Sequence, residues 1–148
     1  MQIQYGNANL IHDWMTLVAE IRGSFPGLET HAALEEHRQT VLRFMEKRQA
    51  LCARNGTEIL GVLLFSRNRN MICCLGVSPR HRRQGIASLL LAEALTQLDN
   101  SHAITVSTFR ECDPRGIAPR ALYKKFGFQP AALIEALGYP CQEFIRQP

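Results

Sequence analysis

The chain has 148 residues, a net charge of +4 at neutral pH and a pI near 9.0, and 46 % of it is hydrophobic. That length suits one domain with a packed core, which argues against global disorder, and no apolar run is long enough to span a bilayer. Five cysteines (Cys52, Cys73, Cys74, Cys112, Cys141) form no C-x-x-C pair and the five histidines lack metal-ligand spacing, so neither a disulfide framework nor a metal site is expected.

Gln2 to Tyr5 reads as a short strand. Leu10 to Arg22 is periodic, with Ile11, Trp14, Met15, Val18 and Ile21 on one helix face and Asn9 as N-cap. Ser24-Phe25-Pro26-Gly27 breaks that helix. Thr30 caps a second one reaching about Arg48, its apolar face set by Leu34, Val41, Phe44 and Met45. A hairpin follows: Ala50 to Ala53 and Ile59 to Phe65 flank Asn55-Gly56, residue types that tolerate positive φ. After the turn at Arg67 to Asn70, Met71 to Val77 is almost wholly apolar, as expected of a central strand covered on both faces.

Gly85 opens a third helix with Ile86, Leu89, Leu90, Ala94, Leu95 and Leu98 as its stripe. Ala103 to Phe109 is the next strand, and Pro119 sits in the first turn of a fourth helix ending at Gly127. The tail holds two more strands, Ala131 to Leu137 and Gln142 to Arg146, around a Gly138-Tyr139-Pro140 turn. The order β-α-α-β-β-β-α-β-α-β-β predicts one α/β domain over residues 1–148 with a mixed sheet.

The segment Leu75-Gly76-Val77-Ser78-Pro79-Arg80-His81-Arg82-Arg83-Gln84-Gly85-Ile86-Ala87 carries the chemistry. It joins an apolar strand to a helix through a basic, glycine-containing loop. A helix start offers unpaired N–H groups and the positive end of the peptide dipole. Glycine lets a diphosphate approach the backbone and the arginines offset its charge. A basic cluster can also attract nucleic acid, but the chain has no aromatic-basic interleaving, no reading helix and no G-x-x-x-x-G-K-[ST] loop.

Arg82-Arg83-Gln84-Gly85-Ile86-Ala87 matches the pattern Q/R-x-x-G-x-G/A, and Ala121-Leu122-Tyr123-Lys124-Lys125-Phe126-Gly127-Phe128 is similar to an L-Y-x-K-x-G-F helix end. At this separation and on these elements, the pair resembles the GNAT superfamily of N-acetyltransferases. The resemblance implies a single-domain GNAT-like fold with a mixed, mostly antiparallel sheet of six to seven strands and about four helices. It implies acetyl-coenzyme A as cosubstrate, no metal, and direct transfer to a primary amine of a small molecule or peptide. Coenzyme A binding then falls to Leu75, Gly76, Val77, Arg82, Arg83, Gln84, Gly85, Ile86, Ala87 and Ser88, with Leu75 and Val77 pairing with the pantetheine arm and the amides from Arg82 to Ser88 holding the pyrophosphate. Tyr123 becomes the general acid that protonates the departing thiolate. Three departures stand out: Gly116 where relatives carry an asparagine, Pro119 for a small residue, and no carboxylate on the strand Met71 to Val77.

An alkylamine has a pKa of ~10.4, so its proton must be removed before attack. Glu111, just past the strand Ala103 to Phe109, is the candidate base, acting directly or through a water; Asp113 has a similar claim, and His31, Glu35 and His37 lie where an acceptor site could form. A surface role fits each of these equally well. Cys73 or Cys74 could carry the acyl group, but neither has a base beside it in sequence. The alternative to an enzyme is a non-catalytic acyl-coenzyme A binding or sensing module. Met1 to Tyr5 lack the pattern of a secretory signal, so a cytoplasmic protein is expected. No nucleic-acid or membrane partner is expected, and the apolar tail is compatible with a homodimer.

Overall fold

The computed structural model describes residues 1–25 and 27–148; of the predicted helix break, Pro26 lies outside the described residues. The elements are β1 (Gln2–Tyr5), α1 (Ile11–Ile21), α2 (His31–Glu46), β2 (Ala50–Asn55), β3 (Glu58–Ser66), β4 (Met71–Val77), α3 (Ile86–Thr96), β5 (Ile104–Phe109), α4 (Ile117–Lys125), β6 (Gln129–Ala136) and β7 (Tyr139–Arg146). Single 3-10 turns precede and follow α1 and precede α4, and another lies between β4 and α3. Together they make one α/β domain, a seven-stranded mixed sheet of order β1-β2-β3-β4-β5-β7-β6 flanked by four helices.

Every neighbouring pair is antiparallel except β4 and β5. That parallel junction spans only two register pairs, Met71↔Thr105 and Ile72↔Val106. Beyond Ile72 the two strands part. The sheet is therefore two antiparallel halves joined at one end and split at the other. A bulge contributes to the parting. Leu64 faces Cys74 and Phe65 faces Ile72, so Cys73 is the extra residue that bends β4.

Each face has its own core. On one, α3 and α4 pack Ile86, Leu90, Leu91, Tyr123 and Phe128 against Leu63, Phe65, Ile72, Val106 and Phe144. On the other, α1 and α2 pack Trp14, Val18, Ile21, Val41 and Met45 against Ala50, Cys52, Val62 and Leu64. Thr30 caps α2, its Oγ1 accepting the Ala33 N–H at 3.0 Å. Asn7 rather than Asn9 caps the start of the first helical segment, by accepting the Asn9 N–H at 3.0 Å.

Several sequence expectations shift. The β2–β3 turn is Gly56-Thr57, since Asn55 still pairs with Glu58 and only Gly56 takes positive φ. On α3, Leu91 is buried and Leu89 is 47 % exposed, which rotates the expected stripe. The last turn is Leu137-Gly138, both at positive φ, which leaves Tyr139 and Pro140 inside β7. β4 is central but is not covered on both faces: Cys73 is exposed and Cys74 to Val77 are half-buried, because β5 leaves its side after Ile72.

Candidate functional site

The split opens at the end of β4 that feeds the basic loop. Ser78 donates its N–H to Leu60 O at 2.8 Å, and His81 Nε2 stands 3.3 Å from Glu58 Oε1, so the loop is tied to β3. Arg83 and Gly85 both take positive φ, 63° and 77°. Gly85 is the residue before α3 and caps it with no side chain. A Cβ added there would meet nothing within 4 Å, so space and backbone conformation both stay open in front of the helix. The first helical bond runs from Leu89 N–H to Gly85 O at 3.0 Å. Among the described residues, the N–H groups from Arg82 to Ser88 meet no acceptor. Arg82, Arg83, Gln84 and Gly85 are exposed, Ala87 and Ser88 half-buried, and Ile86 is locked in the core. The loop thus presents a run of free donors at the positive end of a helix, with two arginine side chains beside them.

β4 supplies the second element. Leu75 pairs with Leu63 and Val77 with Gly61 on the β3 side, while the β5 side of these residues has no ladder. Gly76 has a packing role. A Cβ there would lie 2.5 Å from Ile21 Cδ1 and 2.7 Å from Phe25 Cζ, so its absence lets the end of α1 close over β4. These features fit a diphosphate on an extended arm: free amides for the anion, then a strand edge with unpaired backbone for the arm.

Tyr123 lies on α4, 5 % exposed, its ring edge-on to Phe128 at 5.7 Å and tilted against Phe144 at 6.3 Å. Burial holds its hydroxyl well above the ordinary phenol value, and Cys74 is the neighbour whose charge pushes it the same way. The phenol therefore keeps its proton, in the same core that Ile72, Leu75 and Val77 of β4 join. Gly116, one of the departures named above, is buried in close packing: an added Cβ would lie 3.1 Å from both Arg120 Cδ and Phe109 Cβ. Arg120 fills that space, donating from Nη1 to Phe109 O at 3.1 Å and Gln142 Oε1 at 2.7 Å.

The candidate bases differ in environment. Glu111 lies exposed in the turn after β5, with no hydrogen bond among the described residues. Asp113 is committed to Arg115, which donates from Nε at 3.1 Å and Nη2 at 2.9 Å, and this holds the carboxyl below the usual carboxylate range. Arg115 and Tyr139 are also hydrogen-bonded. His31 is exposed and Glu35 faces Arg38 at 3.5 Å. His37 is half-buried, its Nε2 sealed without a partner, and burial lowers its pKa. The sequence reading missed Glu143. It pairs with Ser107 across β5 and β7, and Val106 and Phe144 beside them face the α3–α4 core, so Glu143 and Ser107 face the α1–α2 side. Both are half-buried. The period of two in β7 was the available signal, had its start been placed at Tyr139.

Among the described residues no group of three or more His, Cys, Asp or Glu could hold a metal ion, and no helix is long and apolar enough to cross a membrane.

The geometry agrees with the comparisons. The chain aligns over 99 % of its length with a GNAT-family acetyltransferase from Bacillus cereus (18 % identity, 96 % of that chain, TM-score 0.76). It aligns equally far with the PaiA N-acetyltransferase of Thermoplasma acidophilum in complex with coenzyme A (15 % identity, 98 % of that chain, TM-score 0.73). An N-acetyltransferase from Staphylococcus aureus is similar over 98 % of this chain and 100 % of its own (17 % identity, TM-score 0.70). At these identities the likeness is one of fold. No curated protein matches the chain. The profile described as the acetyltransferase (GNAT) family matches residues 14–128, from α1 to the end of the tyrosine segment, and the chain belongs to that family.

Proposed function

We propose that the protein is an N-acetyltransferase that moves an acetyl group from acetyl-coenzyme A to a primary amine of a small molecule or peptide, by direct transfer in a ternary complex. The observation that carries this reading is the run of unpartnered amides from Arg82 to Ser88, beside an unpaired edge of β4. The coenzyme A bound in the Thermoplasma structure, which shares this fold, supports it.

In this reading the amides of Arg82, Arg83, Gln84, Gly85, Ile86, Ala87 and Ser88 hold the pyrophosphate, and the arginine side chains offset its charge. The backbone of Leu75 and Val77 pairs with the pantetheine arm. Bound there, the cosubstrate supplies an activated acyl group in the split. A main-chain N–H of the bent segment of β4 polarises its carbonyl. Tyr123 gives its proton to the departing sulfur; a phenol held protonated and set against β4 meets that need without any shift toward neutrality. The amine proton leaves to a carboxylate on the β5–β7 half of the sheet. Glu111 takes it directly or through a water, and Glu143 is the second carboxylate on the same half, on the face that α3 and α4 leave free.

Coenzyme A thiol release followed across a panel of amines tests the reading. Stimulation by an amine, with equimolar N-acetylated product, supports it. If folded protein takes up acetyl-coenzyme A by calorimetry and no amine stimulates release, the chain is a binding or sensing module. Glu111→Gln and Glu143→Gln identify the base: the responsible variant loses the acidic limb of the kcat/KM profile.

A further inference from the structure

On the α1–α2 side of the sheet lies a cavity of about 370 Å3 that the cosubstrate loop does not use. Three cations line it, Arg43 and Lys47 from the end of α2 and Arg69 from the β3–β4 turn, together with Ser66, Asn68 and Cys73. No carboxylate lines it. Among the described residues, none of the three cations is within ion-pair distance of a carboxylate; Arg43 donates only to Thr40 Oγ1, at 2.9 Å. The carbonyl end of α2 favours basic residues in its last turn, which accounts for Arg43 and Lys47. It does not account for Arg69, which arrives from another element.

Hydrogen bonds staple the backbone of these two elements together, while the three cationic side chains are exposed. Arg67 donates from Nη1 to Lys47 O at 3.4 Å and Arg48 O at 3.0 Å, stapling the end of α2 to the β3–β4 turn. The Arg69 N–H donates to Ser66 Oγ at 3.2 Å. Cys73 is the lining residue that β4 contributes. It is the extra residue of the β4 bulge and the first residue past the β4–β5 ladder. Its chain neighbour Cys74 packs against the α1–α2 core. The cavity therefore starts where the split starts, on the sheet face opposite α3 and α4. Although Cys73 is exposed as a residue, desolvation by the protein around its thiol pushes it up to about 11, against the pull of Arg69, so it adds no negative charge among the cations.

We infer that this cavity seats an oxyanion, a carboxylate or phosphate, carried by the acceptor, so that the substrate is an amine with an anionic tail. The inference rests on the acetyltransferase reading for its substrate, but the anion site stands on the cavity itself. Three exposed cations without a carboxylate partner, converging from two stapled elements, attract a compact anion and repel a second ammonium group.

Two measurements test it. The first compares kcat/KM for 4-aminobutyrate, phosphoethanolamine, ethanolamine and putrescine. The anionic pair should exceed the neutral amine at least tenfold and putrescine should be poorest; the better of the two anions identifies the tail. Arg69→Gln and Lys47→Gln should each shrink the anionic-to-neutral ratio severalfold, while Arg38→Gln, on α2 but outside the cavity lining, should not. Equal or better use of ethanolamine or putrescine overturns the inference and leaves the acetyltransferase reading intact. The second needs no turnover. Inorganic phosphate, followed by amide chemical shifts, should perturb the wild-type Arg67 to Cys73 segment in a salt-dependent way, and Arg43→Gln/Lys47→Gln/Arg69→Gln should abolish the effect. Should no amine be acetylated, this titration alone decides: loss of uptake in the triple variant supports an anion site, and absent or unchanged uptake overturns it.

Discussion

The two halves of the sheet are built from the same antiparallel ladders but are covered differently. In the β1–β4 half, helices lie on both faces, and β3 is buried from Ile59 to Ser66. In the β5–β7–β6 half, only α4 and the end of the α3 core cover one face, while Thr105, Ser107 and Glu143 stay half-exposed on the other, and Leu133 on β6 is 62 % exposed. The first half is a frame and the second a partly open wall. A reaction that joins a large cosubstrate to a varied acceptor needs both. In the proposed reading, the cosubstrate loop hangs from the frame through Ser78 and Ile86, and the reacting amine faces the open wall.

Replacing Tyr123 with Phe should give the largest effect and should fall on chemistry. We expect kcat to drop ~10²–10⁴-fold with the KM for acetyl-coenzyme A nearly constant in steady-state assays. Because burial raises the hydroxyl above its ordinary 10.0, the wild-type rate should show no alkaline decline owed to this group until the pH passes that value. A Tyr123-dependent decline near neutrality would break the assignment.

The frame should respond in stability instead. Leu91→Ala should cost about 2–5 kcal/mol in denaturant unfolding, because Leu91 is fully buried under α3. Leu89→Ala, one turn position away and 47 % exposed, should stay within about 0.5 kcal/mol. A larger loss for Leu89→Ala than for Leu91→Ala would mean that α3 sits in the register read from the sequence alone. Gly76→Val should cost about 1–3 kcal/mol by forcing Ile21 and Phe25 off β4, and the same melts measure it. The smallest expected effect on function is that of Arg82→Ala/Arg83→Ala, a rise of about tenfold in the KM for acetyl-coenzyme A that shrinks as salt is added. A change in kcat rather than KM would move these residues from the frame's loop into the reaction.

The pattern of what could be read in advance follows the same division. The loop from Arg82 to Ser88 was legible because its chemistry is local: a glycine before an apolar helix, basic residues ahead of it. The order of elements was legible from periodicity and turns. What escaped depended on partners distant in sequence. Nothing in Met71 to Val77 announces a bulge at Cys73, since an apolar strand reads the same with or without one extra residue. Leu89 and Leu91 sit in the run Leu89-Leu90-Leu91, where all choices look equally apolar and only the packing of α3 on β3 decides. Tyr139-Pro140 resembled a turn because proline favours one, yet Leu137 and Gly138 turn the chain and Pro140 lies in β7 across from the edge strand β6. The meeting of Arg69 with Arg43 and Lys47 is also a product of the fold, as the β3–β4 turn and α2 are far apart along the chain.

The bulge at Cys73 is a local insertion. Ile72 and Cys74 already face opposite sides, as adjacent residues of a regular strand would. Removing Cys73 would therefore straighten β4 without turning any other side chain to the wrong face. The cavity would lose a wall and the strands one reason to part, while the scaffold kept its order. Within this architecture, one inserted residue shapes the cleft locally while leaving the order of the strands untouched.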